Sequence, residues 1–271
     1  MTGRSAAEAE DRDLARAAPV LAAVREHEPL VHCLTATVSM AIVADGLLAA
    51  GARPMMTETR AEAPVVTTIA DALTINLGTL STDAVGGIPP TVAAAVRDGR
   101  PWVLDPTAIG IAPVRTPLAR ELLGSRPTVV RGNASEVLAL VAAGRGGRGP
   151  DASASDADGD AVETAARQVA ARTGGAVSVS GEVDLVLDAA RSARVARGTA
   201  LLTRVTGTGC LLGALTAACT AEHPVPFEAA EAAVVWLALA GERAAARATG
   251  PGSFRMHLLD ALDELGREVE R

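Results

Sequence analysis

The stretch "LLTRVTGTGCLLGAL", residues 201–215, decides how the chain is read. An apolar run leads into a Thr-Gly-Thr-Gly-Cys turn, and an apolar segment with helical spacing follows. That order predicts a strand feeding a glycine loop that opens a helix. Further short apolar runs point the same way: "PMMT", "ALTINL", "PWVLD", "TVVRG", "AVSVSG" and "DLVLDA" mostly alternate with helix-like segments. Such alternation predicts an α/β fold whose mostly parallel central sheet is flanked by helices. Helices are also expected over 19–28 and through "VSMAIVADGLLAAG", where Gly51 closes the second, and from Thr208 onward the chain reads mainly as helices.

Polar, acidic residues 1–18 are expected to form a disordered arm, leaving 19–271 as a single domain. The segment "GRGGRGPDASASDADGD", 144–160, has no periodicity and reads as a surface loop.

Composition narrows the function. All 25 Lys+Arg residues are Arg, which excludes Schiff-base chemistry and the phosphate-binding lysine of a Walker loop. A net charge of -7 and the lack of Tyr, with only 2 Phe and 2 Trp, argue against a nucleic-acid partner. Cys33, Cys210 and Cys219 form neither a disulfide framework nor a zinc pattern, and read as free thiols in a reducing compartment. With no secretory signal and no apolar run of membrane-spanning length, a cytoplasmic location and no membrane partner are expected.

In a parallel sheet, ligands gather where strands end. The residues to inspect there are 76–79, Asp105-Pro106, 131–133, 180–182 and 206–210. Gly207, Gly209 and Gly213 are spaced G-x-G-x-x-x-G, one residue longer than the dinucleotide fingerprint. Lacking Cβ atoms, Gly207 and Gly209 let backbone N–H groups approach an anion, and the helix start favours negative charge. A tight connection in which Thr206 or Thr208 caps the helix explains the pattern equally well. Cys210 falls in the first helical turn, where the dipole should favour a thiolate and make it a candidate base or nucleophile. Cys33 and Cys219 read as small core residues.

Asp105 and Glu136 could hold magnesium beside a phosphate. Asn133 and Glu136 also have the spacing of a capping box, which needs no metal. Arg131 suits either a nucleotide phosphate or a structural ion pair. These patterns alone reach an α/β enzyme that binds a phosphorylated ligand.

In order along the chain, "PLVHCLTATVSMAIVADGLLAAGARPMM", "ADALTINLGTLS", "VLDP", "RGNASEVLAL", "SGEVD", "LLTRVTGTGCLL" and "GPGSF" resemble the successive motifs of the hydroxyethylthiazole kinase family. The resemblance runs from about Pro29 to Phe254. It implies a three-layer ribokinase-like fold. The implied activity is transfer of the ATP γ-phosphoryl group to the primary alcohol of hydroxyethyl-methylthiazole in thiamine salvage, with Mg²⁺. It also implies a homotrimer with sites between subunits. By position, it makes Cys210 the catalytic residue below the substrate hydroxyl, and the N–H groups of Gly207, Thr208 and Gly209, at the helix start, are then expected to form the anion hole. Met56 and Gly207 would line the alcohol site, Arg131 and Ser180 would contact ATP, and Asp105 and Glu136 would lie near the metal.

The chain departs from the family pattern at Ala36, where an Asn is expected, at Thr107 and Ile109 after "DP", and at Arg197 and Thr199. Loss of a polar recognition group can change selectivity strongly. Two alternatives therefore stand beside the thiazole: a kinase of this fold acting on another small alcohol, and a ligand-binding homologue without turnover.

Overall fold

The structure, a computed structural model, describes residues 3–142 and 159–270. The first half of the chain comprises helix α1 (Gly3–His27), strand β1 (Leu30–Leu34), α2 (Met40–Ala50), β2 (Arg53–Met55), α3 (Ala63–Ile69), β3 (Ala72–Asn76), α4 (Thr82–Arg97) and β4 (Trp102–Asp105). Next come α5 (Arg115–Leu122), β5 (Val129–Asn133), α6 (Ala134–Val141), α7 (Gly159–Thr173) and β6 (Ala176–Ser180). The hairpin strands β7 (Asp184–Leu187) and β8 (Ser192–Val195) precede α8 (Thr208–Glu222), α9 (Pro226–Arg247) and α10 (Pro251–Val269).

The eight strands form one sheet in the order β2-β1-β3-β4-β5-β6-β7-β8. Pairings from β2 through β6 are parallel, and β7 pairs antiparallel with both β6 and β8. Because side chains alternate across a strand, each buried strand feeds two cores. In β4, Val103 joins the core shared by α1, α2, α8, α9 and α10, whereas Trp102 and Leu104 join the core under α4 to α7. The result is the expected α/β arrangement of a mostly parallel sheet between two helical layers. Helix α8 runs against β1, β3 and β4 and is enclosed by α1, α2 and α9, so its residues from Leu211 through Thr220 are all buried.

Two local expectations are corrected, and the end of a third. From Gly3 onward, the arm expected to be disordered is part of α1. Ala17 is buried, and the arm's charges find partners: Glu10 with Arg243 (2.8 Å), Asp13 with Arg197 (2.8 Å) and Arg16 with Glu231 (3.2 Å). The run "LLTRV" is not a strand. Residues Ala200–Arg204 form a 3₁₀ helix, held by Leu202 N–H to Thr199 O (3.1 Å) and by the Thr203 hydroxyl to Ala200 O (2.8 Å). Finally, the loop expected at 144–160 lies largely outside the described residues, and Gly159 and Asp160 already belong to α7. Gly51 does cap α2, with φ 90°.

Candidate active site

The carboxyl ends of β3, β4, β5 and β6 converge on the first turn of α8. Gly207 is the N-cap of that helix, with φ 94°, a left-handed conformation that favours glycine. A Cβ there would also stand 2.6 Å from Ile42 and 2.8 Å from Ser39, so the turn is pressed onto α2 and the segment before it. No side chain caps α8: the Thr208 hydroxyl donates back to Leu202 O (2.8 Å), and Thr206 makes no cap bond. The first intrahelical bond is Leu211 N–H to Gly207 O (2.8 Å). At this helix start the N–H groups of Thr208, Gly209 and Cys210 have no helical carbonyl to meet, which makes an anion-binding end.

A cluster of polar side chains lies beside Cys210 and its neighbour Gly209. Asn76, at the end of β3, places Nδ2 2.7 Å from Asp105 Oδ2, 2.9 Å from Thr107 Oγ1 and 3.4 Å from Cys210 Sγ. Asp105, at the end of β4, is wholly buried and accepts from the Thr107 hydroxyl (2.7 Å) and from Arg131 Nη1 (3.2 Å). Arg131 in β5 also donates to the Ser180 hydroxyl at the end of β6 (2.9 Å), while its buried Nε has no partner. Beyond Arg131 opens a cleft of about 910 Å³ walled by Arg131, Ser180, Asp184, Thr199, Leu202 and Gly209, among others.

Glu136 forms the expected capping box: Asn133 Oδ1 accepts from Glu136 N–H (2.9 Å), and Glu136 Oε2 accepts from Asn133 N–H (2.8 Å). Its Oε1 reaches into the site and accepts from Ala108 N–H (2.8 Å). Ala108 has φ 58°, an uncommon conformation for a non-glycine residue, in the loop that follows β4. Burial, then the nearby Asp105 charge, push the Glu136 carboxyl above its usual range. The two carboxylates thus share a site that is short of positive charge.

The thiol of Cys210 differs from its sequence-based expectation. Burial and then the Asp105 charge raise its pKa, and the Ser39 hydroxyl, the Arg131 charge and the Asn76 amide counter this only in part. Burial and the Asp105 charge thus work against the thiolate that the helix start would favour. Cys33 and Cys219 are core residues as expected. Met56 is half-buried at the edge of the core that Cys210 also borders. Two site residues were not singled out as such in the sequence. Asn76 lay among the strand-end positions, and Thr107 stood out only as a departure, yet together they tie Cys210 to Asp105.

A mostly parallel sheet whose strand ends meet a glycine-turned helix, between two helical layers, is the architecture of the ribokinase-like class. An Enterococcus faecalis protein of that superfamily has a similar fold, with a TM-score of 0.59 at 14% identity over 87% of each chain. The sequence profile of the hydroxyethylthiazole kinase family matches residues 21–268. A hydroxyethylthiazole kinase of Kineococcus radiotolerans is 50% identical over 258 residues, covering 94% of this chain and 93% of that one. The structure of hydroxyethylthiazole kinase from Pyrococcus horikoshii is similar at 35% identity, with a TM-score of 0.82 and 92% of each chain covered. The chain belongs to the hydroxyethylthiazole kinase family.

Proposed function

We propose that the protein transfers the γ-phosphoryl group of ATP to the primary alcohol of hydroxyethyl-methylthiazole, as in thiamine salvage, with Cys210 beneath the reacting hydroxyl. The observation that carries this reading is the position of Cys210. Its Sγ lies in the first turn of α8, within 3.4 Å of Asn76 Nδ2, one residue from the glycine that borders the Arg131 cleft.

Phosphoryl transfer passes through a loose transition state that depends on positioning and charge stabilisation more than on a strong base. The N–H groups from Gly207 to Cys210 would hold the migrating phosphoryl group. Arg131, steadied by Asp105 and Ser180, would meet the ATP phosphates at the mouth of the cleft. Cys210 would orient the alcohol and assist removal of its proton, and Met56 and Gly207 would border the alcohol.

Asp105 and Glu136 suit magnesium: both are hard oxygen donors, and each keeps lone pairs beyond the hydrogen bonds it accepts. When bound, the ion would neutralise phosphate charge. Among the described residues no group of three His, Cys, Asp or Glu side chains is arranged to hold a metal. Water and ATP oxygens would complete such a shell.

The same reading takes α1 through α10 as one kinase domain, α1 included, that works as a homotrimer with shared sites. Exposed Val38, Leu48, Met55, Val65 and Ile69 support a contact at the β2 edge of the sheet, since they lie on or beside the elements around it. Three free thiols fit a cytoplasmic setting. No helix among the described residues is long and apolar enough to cross a membrane.

Incubation with MgATP and a panel of small alcohols, followed by mass detection of products, tests the assignment. Hydroxyethylthiazole phosphate supports it. A phosphoester of another alcohol moves the substrate, and binding without product removes the catalytic reading.

A further inference from the structure

We propose that Asn76 positions the Cys210 thiol, and that Thr107 competes with Cys210 for the same Asn76 N–H, holding the thiol below its full reactivity. The inference rests on the catalytic reading of Cys210 and deepens it.

The Asn76 amide can face only one way. Its Oδ1 accepts from Gly78 N–H (2.8 Å), and its Nδ2 faces the Asp105 carboxylate (2.7 Å), which only accepts when ionised. A Cβ at Gly78 would lie 2.9 Å from Asn76 Oδ1 and 3.0 Å from the Ala36 Cβ, so glycine is what lets this backbone N–H close onto the amide. With 3% exposure, Asn76 has little access to water as an alternative partner.

Nδ2 carries two hydrogens and faces three acceptors. Asp105 Oδ2 is charged and nearest, and takes the first. The second is divided between Thr107 Oγ1 at 2.9 Å and Cys210 Sγ at 3.4 Å. Thr107 is a strong competitor because its own hydrogen goes to Asp105 Oδ1 (2.7 Å), which turns its oxygen lone pairs toward the amide. The other hydroxyl near the turn, Ser39, donates to Ala36 O (2.8 Å) and also lies in hydrogen-bond reach of the thiol, and both substitutions below leave it in place. Asp105 and Arg131 are the charged groups that act on the thiol, and both substitutions below leave them in place. An amide hydrogen aimed at sulfur favours the thiolate and turns the S–H bond away from the amide. Removing the Thr107 hydroxyl frees that hydrogen for Cys210, and removing the Asn76 amide takes it away.

The two effects have opposite sign, which a loss of structural integrity would not produce. Alkylation by iodoacetamide at fixed neutral pH, followed by mass spectrometry, reads Cys210, because Cys33 and Cys219 are 1% and 0% exposed. Thr107→Val should alkylate about threefold to fivefold faster than wild type, Thr107→Ser at the wild-type rate, and Asn76→Ala about fivefold slower. In the kinase assay kcat should follow the same order, with KM for the alcohol moving less than about twofold. Should Asn76→Ala fail to fold, Asn76→Ser takes its place.

Slower or unchanged alkylation in Thr107→Val overturns the competition, and an unchanged rate in the Asn76 variant overturns the positioning role. If the alkylation order holds while wild type forms no phosphoester, the hydrogen-bond arrangement stands and only the kinase reading falls.

Discussion

Gly209 and Arg131 are in direct contact: a Cβ at position 209 would stand 2.9 Å from Arg131 Nη1 and 3.0 Å from Nη2. The helix start and the guanidinium that would meet ATP therefore fit together only because residue 209 has no side chain. Gly209→Ala should push Arg131 out of line with Asp105 and Ser180 and raise KM for ATP by about tenfold. Its melting temperature should fall, since Asp105 then stays buried without its full ion pair and the helix propensity of alanine offsets only part of that. Steady-state kinetics with a thermal melt checks both halves.

Cys210 is predicted to be a helper more than an indispensable base, because burial and the Asp105 charge disfavour its thiolate. Cys210→Ala should lose about 10²-fold in kcat, the scale of a lost general base. Cys210→Asp should remain active or improve, since a carboxylate is ionised at neutral pH and can take the alcohol proton. An abolished rate in the Asp variant would contradict the base role.

Glu136 combines a cap with a place at the metal side of the site. Glu136→Gln leaves one backbone N–H, of Asn133 or of Ala108, facing an amide nitrogen instead of an oxygen. Stability should fall by about 1–2 kcal/mol, and more magnesium should be needed for half-maximal rate. A lower melting temperature with an unchanged magnesium titration would leave Glu136 as a cap alone.

His32 is buried in β1 and should make the fold acid-sensitive. Its Nε2 lies 3.0 Å from Thr57 O, which can only accept, so this nitrogen carries the proton and Nδ1 accepts from the Thr67 hydroxyl (2.7 Å). Burial brings its pKa down from 6.5 to about 4. Between those values the unfolded chain binds the extra proton and the folded one does not, so stability is full above pH 6.5 and declines toward pH 4. The loss attributable to His32 should be about 2 kcal/mol by pH 5. Urea titrations at pH 7 and pH 5 should show a smaller pH difference in His32→Gln than in wild type.

Where burial and chain pattern agree, the sequence was readable. The strands "ALTIN", "WVLD" and "AVSVS" sit in the sheet interior, and their apolar runs announce it. Edge strand β8, "SARV", is mostly exposed and carries no such signal. For α1, acidic composition suggested disorder, but its alanines favour a helix and its charges pair with Arg197 and Arg243 from distant segments. "LLTRV" has a strand-like pattern, yet Leu202 instead fits beside Gly241, which a Cβ would bring to 3.1 Å.

At the site, Asp105, Arg131, Glu136, Ser180 and Cys210 were marked by strand ends and a helix start. The Asn76–Thr107–Cys210 network was not, because hydrogen bonds between residues 31 and 134 positions apart leave no local pattern. The same limit hid the state of Cys210. A helix start is visible in sequence, whereas burial beside Asp105 is a tertiary fact.

The most direct measurement follows one reaction of the wild-type protein with hydroxyethylthiazole and MgATP, counting ADP and thiazole phosphate in the same samples. The two are expected to accumulate in equal amounts. ADP without the phosphoester, or no reaction with this alcohol at any concentration, would contradict it.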